Sequence, residues 1–242
     1  MNTENINYEP RHVTAEDIKN GSITLNAVEG EETKLFMIQE EFRAGMDVVK
    51  DLPPSVTFYG SARLKEDNPE YIKAYKLAYK IAKELGYVMI TGGGPGIMEA
   101  ASKGAHDAGV ETIGLTIKLP NEQKSNPYVT KEVPFHFFFA RQVCMSYTTE
   151  ACVFCAGGFG TLNELFEMLT VIQTGKVGKI PVILYGAEFW TPLQNIIEEF
   201  LQDKYEVINP QDKKIYVITD SEEEVLDIIK KSKERDGADA LY

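Results

Sequence analysis

A doubly wound, mostly parallel α/β sheet with helices on both faces is the fold class this 242-residue sequence predicts. Three observations predict it. From Ser55 to Lys231, short β-branched and aromatic runs alternate with segments whose apolar residues recur at helical spacing. Alternation of that kind favours parallel strands joined by crossover helices. Three of the strands end in glycine turns, at Gly60, Gly92–Gly96 and Gly157–Gly160. In open parallel sheets ligands bind outside the carboxyl ends of the strands, so these turns are expected to crowd onto one edge.

The elements follow in order. Met1–Glu32 has no sustained period and contains the turn formers Asn20-Gly21 and Glu29-Gly30, so it reads as an extension or arm. In Thr33–Leu52, the residues Leu35, Ile38, Phe42, Met46 and Val49 make one apolar stripe, ended by Pro53-Pro54. This amphipathic helix is expected to pack on the main domain or on a partner subunit. Residues 1–54 therefore read as an N-terminal helical arm and residues 55–242 as the α/β domain.

Within that domain Val56–Tyr59 is a strand, Tyr71–Leu85 a helix stopped by Gly86, and Tyr87–Ile90 the next strand. Ile97–Ala108 reads as a helix, Thr112–Ile117 as a strand, and Leu119–Lys131 as a polar loop. Val133–Phe139 reads as a short strand running into the helix Ala140–Thr149. The strand Ala151–Cys155 and the helix Leu162–Gln173 come next, then the strand Pro181–Tyr185 and the helix Phe189–Leu201. Ile215–Ile218 is the last strand. The last helix, Ser221–Lys231, has Ser221 as N-cap and Glu224 at the capping-box position. Arg235–Tyr242 is expected to fray.

Composition narrows the function. A hydrophobic share of 43% and a charged share of 26% are ordinary for a soluble globular chain. The net charge of −12 argues against a nucleic-acid or anionic-membrane surface, though a small phosphate needs only a local nest of N–H groups and one or two cations. No apolar run reaches the roughly 18 residues of a transmembrane helix, and the polar N-terminus lacks the apolar core of a secretory signal. Three cysteines fit a reducing, cytoplasmic setting rather than a disulfide framework.

The motifs narrow it further. Ala156-Gly157-Gly158-Phe159-Gly160-Thr161-Leu162-Asn163-Glu164 is a strand end, a glycine turn and a helix start, with an acid one turn in. Such a turn aims backbone N–H groups at a phosphate. Gly92-Gly93-Gly94-Pro95-Gly96-Ile97 lacks the third glycine of the dinucleotide fingerprint. Ile117 and Lys118 stand where that fingerprint needs a ribose-holding acid, so a nicotinamide dehydrogenase is poorly supported. There is no Walker-type loop and no G-x-S-x-G nucleophile elbow. Cys152 and Cys155 are spaced C-x-x-C but within a strand, where residues three apart point to opposite faces; they read as core cysteines. His12, His106 and His136 are scattered without metal-ligand spacing, so no metal site is expected.

The glycine turn resembles the P-G-G-x-G-T-x-x-E signature of the Lonely Guy (LOG) proteins, phosphoribohydrolases many of which were once labelled lysine decarboxylases. The likeness spans roughly Ser55 to Leu201 and includes Gly60-Ser61-Ala62-Arg63, Gly92–Met98, Arg141 and the run from Thr170 through Pro181. Two positions depart from the pattern: Ala156 stands for the family's proline, and Arg141-Gln142 for its Arg-Lys pair. The resemblance implies a Rossmann-like fold and a homodimer, with Thr33–Leu52 or Leu162–Gln173 as interface. It implies hydrolysis of a purine nucleoside 5′-monophosphate, AMP or an N6-prenylated cytokinin nucleotide, to free base and ribose 5-phosphate, with no cofactor. It also implies Arg141 and Glu164 as the catalytic pair.

Cleavage of an N-glycosidic bond passes through an oxocarbenium-like ribosyl cation, so the site must anchor phosphate, stabilise positive charge and direct a water. Gly157, Gly158, Gly160 and Thr161 offer N–H and hydroxyl donors for the phosphate. Near a helix N-terminus Glu164 is expected to be ionised, which suits accepting ribose hydroxyls or activating water rather than acting as an acid. Arg141 stays protonated and can hold phosphate or balance Glu164. Gly60, Ser61, Arg63, Thr91, Gly92, Gly93 and Met98 are expected on the opposite wall, against base and ribose. Glu167, one turn past Glu164, is a second ribose contact or a helix-surface charge. The rival expectation is a nucleotide- or cofactor-carrying protein that keeps the cradle without turnover. A pyridoxal-dependent decarboxylase would need a Schiff-base lysine that the glycine loops do not supply.

Overall fold

The computed structural model describes residues 31–119, 124–147 and 149–232. Seven strands form one sheet in which every pairing is parallel. They are β1 (Ser55–Tyr59), β2 (Val88–Thr91), β3 (Thr112–Ile117), β4 (Lys131–Phe135), β5 (Thr149–Phe154), β6 (Val182–Tyr185) and β7 (Tyr216–Thr219). Their order is β4-β3-β2-β1-β5-β6-β7. The chain thus winds outward from β1 to one edge, crosses back over the sheet after β4, and winds outward again through β5 to β7.

The α-helices among the described residues are α1 (Glu31–Val49), α2 (Pro69–Leu85), α3 (Ile97–Asp107), α4 (Phe138–Tyr147), α5 (Phe159–Gln173), α6 (Ala187–Ile196) and α7 (Glu222–Lys231). Strand side chains alternate between two cores. Val56, Phe58, Met89, Val153 and Ile183 pack under α2, α3 and α7. Tyr59, Ile90, Phe154 and Leu184 pack with α4, α5 and α6, and with Val49 of α1. Burial on both faces is why these strands read as continuous apolar runs. The two cysteines obey the same alternation, with Cys155 in the first core and Cys152 in the second. Both are free thiols, as is Cys144.

Local chemistry sets the helix ends. In α2, Asn68 accepts from Glu70 N at 2.9 Å, Pro69 opens the helix, and Gly86 closes it at φ 69°. In α7, Ser221 caps Glu224 N at 3.2 Å as expected. Glu224, however, does not reach back to Ser221 N. Its carboxylate accepts from Thr219 Oγ1 at 2.5 Å, and Thr219 Oγ1 in turn takes the Ser221 N–H. Only half of the capping box forms, because a strand-end hydroxyl fills the other half.

Most boundaries fall within a few residues of expectation, and three differences have a physical reason. β4 ends at Phe135, and Phe138 and Phe139 open α4 instead of continuing the strand. An aromatic run fits either period, and the helix wins because Glu41 accepts from His136 N at 2.9 Å and Phe137 N at 3.3 Å, just before α4 begins. Thr149 belongs to β5 rather than to that helix, donating to Ala151 O at 2.8 Å. The helix expected over Phe189–Leu201 starts at Ala187 and continues as a π-helical stretch, Ile197–Lys204, beyond the internal Pro192. The arm and tail expected before residue 31 and after residue 234 lie outside the described residues.

The helix α1 begins two residues before the expected Thr33, ends at Val49 rather than Leu52, and lies on α4 and β4, with Phe42 and Met46 against the second core. Gly45 is the point of closest approach: a Cβ there would stand 2.6 Å from both Cys144 Sγ and the Phe135 ring.

Candidate active site

Two turns meet at the centre of the sheet, where the winding reverses. The Ser61 N–H after β1 donates to Ala156 O after β5 at 3.0 Å, and Ser61 O accepts from Ile97 N of α3 at 2.9 Å. Below them Tyr59 and Phe154 stack with ring centroids 4.5 Å apart. Trp190 of α6 is fully buried and donates from Nε1 to Phe154 O at 3.0 Å. The switch point is therefore rigid, and a cleft of about 930 Å³ opens over it.

Gly60, Ser61, Arg63, Gly92, Gly93, Met98, Arg141, Gly158, Gly160, Thr161 and Glu164 all line that cleft. The expected edge thus comes together from four separate turns and helix starts. Three expected residues do not line it. Thr91 is fully buried in β2, where its hydroxyl accepts from Gly93 N at 3.0 Å and so shapes the turn from below. Gly157 lies behind Thr161: a Cβ on it would stand 2.2 Å from Thr161 Oγ1, so its role is close packing. Glu167 is half-buried one turn deeper, facing a small space behind the cleft with Gln142 and Ser146.

Other lining residues carry no motif. Thr116 and Ile117 come from the end of β3, Phe138 from the start of α4, and Lys124 and Ser125 from the loop before β4. That loop is fastened by Asn126, whose Nδ2 donates to Gly93 O at 3.1 Å and Gly94 O at 3.0 Å. The exposed aromatic run ahead of Arg141 was a signal for Phe138; nothing local to Lys124 or Thr116 marks them. Lining cations are Arg63, Lys124 and Arg141, against one acid, Glu164. A chain of net charge −12 thus holds a locally cationic cleft.

Arg141 is wedged in place. Its Nε donates to Leu115 O at 2.6 Å. Its Nη2 lies where a Gly92 side chain would be, 2.2 Å from the position of a Cβ, so only glycine admits the guanidinium. Its Nη1 stands 3.6 Å from Glu164 Oε1, a charge pair rather than a hydrogen bond. Burial pulls the Arg141 pKa down while Glu164 and Tyr59 oppose it. With so high an intrinsic pKa the group stays a cation.

Glu164 corrects an expectation. Its side chain is only 14% exposed, and burial pushes its pKa up to about 7 despite the lowering by Arg141, with Glu167 adding to the rise. Desolvation outweighs the helix-terminus effect that favours the carboxylate, since a helix end contributes only about 0.3–1 kcal/mol in exposed positions. The carboxyl is poised to exchange a proton near neutrality, so an acid role is open to it. Beside it, no side chain caps the N-terminus of α5 and no acid sits in its first turn. Its leading N–H groups remain available to an anion.

A protein-family model described as "Possible lysine decarboxylase" matches residues 98–229, more than half of the chain. The chain belongs to that family. This is the family that holds the LOG phosphoribohydrolases, and the resemblance read from the glycine signature stands. The cytokinin riboside 5′-monophosphate phosphoribohydrolase LOG of Oryza sativa subsp. japonica is 33% identical over 128 residues, covering 50% of this chain and 52% of that protein. An uncharacterized protein of Archaeoglobus fulgidus is 30% identical over 126 residues, 50% of this chain and 81% of that one. Among solved structures, the molybdenum cofactor binding protein of Rippkaea orientalis superposes with a TM-score of 0.54 at 25% identity, covering 74% of this chain and 97% of that chain. In this LOG-family chain the signature glutamate, Glu164, and the upstream Arg141 converge on one cleft although 23 residues separate them. No group of three or more His, Cys, Asp or Glu side chains placed to hold a metal occurs among the described residues. Nor is any described helix long and apolar enough to cross a membrane.

Proposed function

We propose that this protein hydrolyses the N-glycosidic bond of a purine nucleoside 5′-monophosphate in the cytoplasm, releasing the base and ribose 5-phosphate. The observation that carries the reading is the buried Arg141–Glu164 pair beside the uncapped N-terminus of α5. In this reading Gly158, Gly160 and Thr161 hold the 5′-phosphate, and the wall from Ser61 to Arg63 with Gly92, Gly93 and Met98 takes ribose and base. The C1′–N bond breaks with its electron pair leaving on the base, and water attacks C1′. Ionised Glu164 takes one water proton as the hydroxide adds to C1′, and the departing base takes its proton from solvent in the open cleft. Arg141 balances the carboxylate and the phosphate. The cytokinin-nucleotide activity of the rice relative supports this class of substrate.

The second reading, a carrier that holds a nucleotide-like cofactor without turnover, is favoured by the Rippkaea likeness and by the size of the cleft. Schiff-base chemistry is not supported. Lys124 is the lysine that lines the cleft and it is exposed, whereas a Schiff-base lysine works from a desolvated position. One experiment separates the readings: incubation with a panel of 5′-monophosphates, assayed for free base and ribose 5-phosphate. Release from a purine monophosphate is expected. Tight AMP binding without product at high enzyme concentration would favour the carrier.

A homodimer is part of the same proposal. Of the α1 stripe, Phe42, Met46 and Val49 pack with the second core and Leu35 is left exposed, whereas α5 leaves Phe166 40% exposed and Phe159, at the cleft mouth, 93%, which supports α5 as the interface. Phe166→Glu is expected to shift the sedimentation coefficient from dimer to monomer; an unchanged dimer would exclude this face.

A further inference from the structure

Behind Glu164 lies a second, small space of about 10 Å³, lined by Tyr59, Gln142, Ser146, Glu164, Glu167 and Met168. Gln142 and Glu164 line both this space and the main cleft, so together they form the partition between the two. The volume matches about one water molecule. Gln142 Nε2 is buried in this partition with no hydrogen-bond partner among the described residues. The two carboxyls stand one turn apart on α5, on the same face. Neither carboxyl has a hydrogen bond to another described residue, although Glu164 has the charge contact with Arg141.

An orphaned amide donor, a space for one water, and two carboxyls around it form an incomplete hydrogen-bond network. Two carboxylates one turn apart that line the same space resist simultaneous ionisation, and Glu167 raises Glu164 accordingly. A single proton between them, with an amide donor to the charged member, satisfies every group. We propose that Glu167 is a positioning residue that shares one proton with Glu164 across this space, while the Gln142 amide donates to whichever carboxylate is ionised. The transfer balances through the intervening water, which takes a proton from one carboxyl oxygen as it gives one to the other.

The remaining groups around the pair fit this assignment. From α4, Arg141 faces Glu164 on the cleft side, and the Ser146 hydroxyl is bonded to the α4 carbonyls of Gln142 and Val143 at 3.2 Å. From β1 comes the Tyr59 phenol, and from α5 the Met168 thioether. The one fixed cation therefore sits on the cleft side of Glu164, and the rear side has a neutral amide. Burial raises Glu167 as well as Glu164, so both carboxyls hold a proton more readily than free ones. The inference rests on the proposed function for its purpose: a proton taken from water at Glu164 leaves to the rear without crossing the substrate.

The test uses the full chain with 13C-labelled glutamate and follows the side-chain carboxyl signals against pH, with no substrate. Glu164 and Glu167 are expected to titrate as a coupled pair. Glu167→Gln should lower the Glu164 midpoint by about one pH unit, and Gln142→Leu should raise the midpoint of the pair. A purely structural role would not move the two midpoints in opposite directions. Unchanged midpoints in either variant would overturn the proposal. Should Gln142→Leu fail to fold, Gln142→Met makes the same deletion of the donor. In the hydrolysis assay, the acidic limb of the pH–rate profile of Glu167→Gln should move down by the same amount. If no substrate is cleaved, the carboxyl titration still decides the proton sharing. If cleavage occurs with unmoved titrations, only the sharing fails.

Discussion

Arg141→Ala is expected to lower kcat/KM for base release by about 10²–10³-fold, the usual effect of removing one preorganised electrostatic group. Arg141→Lys should recover little. The guanidinium is held by three features that an ammonium cannot reproduce together. Nε is bonded to Leu115 O, Nη2 fills the gap left by Gly92, and Nη1 faces Glu164. A lysine has no Nε fork and would place one charge where Arg141 spans three contacts. Loss of the cation also removes the attraction that lowers the Glu164 pKa, so the carboxyl would rise above its value of about 7 and be protonated at working pH. Initial rates of ribose 5-phosphate release, with unfolding transitions to confirm folding, make the comparison. A variant within tenfold of the parent would remove Arg141 from the reaction.

Glu164→Gln is expected to abolish turnover and yet stabilise the protein at alkaline pH. The folded-state pKa of Glu164 is raised from 4.5 to about 7. The folded state therefore binds this proton more tightly than the unfolded chain does. Stability from the protonated carboxyl is fully present below about pH 4.5 and is lost as pH rises through about 7. The glutamine has no charge to desolvate. Its advantage over the parent should thus be small near pH 4, grow between pH 4.5 and 7, and level off above, at about 1–3 kcal/mol. For a chain of this size each kcal/mol corresponds to about 2–4 °C in Tm. Thermal unfolding of both proteins from pH 4 to 9 reads the gap directly; a gap that does not change with pH would contradict the buried carboxyl.

Such a substitution, more stable and less active, is the pattern expected where a site keeps a group in an environment that disfavours its charge. It also shows where sequence reasoning stops. The alternation of strands and helices was legible because each segment carries its own period and its own stop signal, as Pro69 and Gly86 do for α2. The glycine turns were legible as one edge because parallel topology places all strand carboxyl ends together. The ionisation of Glu164 was not. Its local context, one turn into a helix, favours the carboxylate; its burial comes from α4 and β1, which no spacing within α5 reveals. Thr91, Gly157 and Glu167 were expected to line the cleft for the same reason: proximity in sequence to a motif does not tell facing from backing. Lys124 and Thr116 went unseen because they reach the cleft from a loop and a strand end that carry no motif, brought there by Asn126 and by sheet order.

The crossover after β4 carries more than the chain. Arg141 is placed on α4, the connection that returns from the sheet's edge to β5, and Glu164 on the first helix of the half that follows. The two charges therefore belong to opposite sides of a seam. Neither half of the sheet holds both charges, and a chain stopped after α4 holds Arg141 with no Glu164 to face. Joining β1 to β5 across the seam closes a far longer stretch of chain than the 23 residues between Arg141 and Glu164, and such non-local pairing costs loop-closure entropy before it is rewarded. Arg141 is anchored to Leu115 of the first half and Glu164 stands on the second, so the pairing of β1 with β5 is what brings the two charges into one cleft.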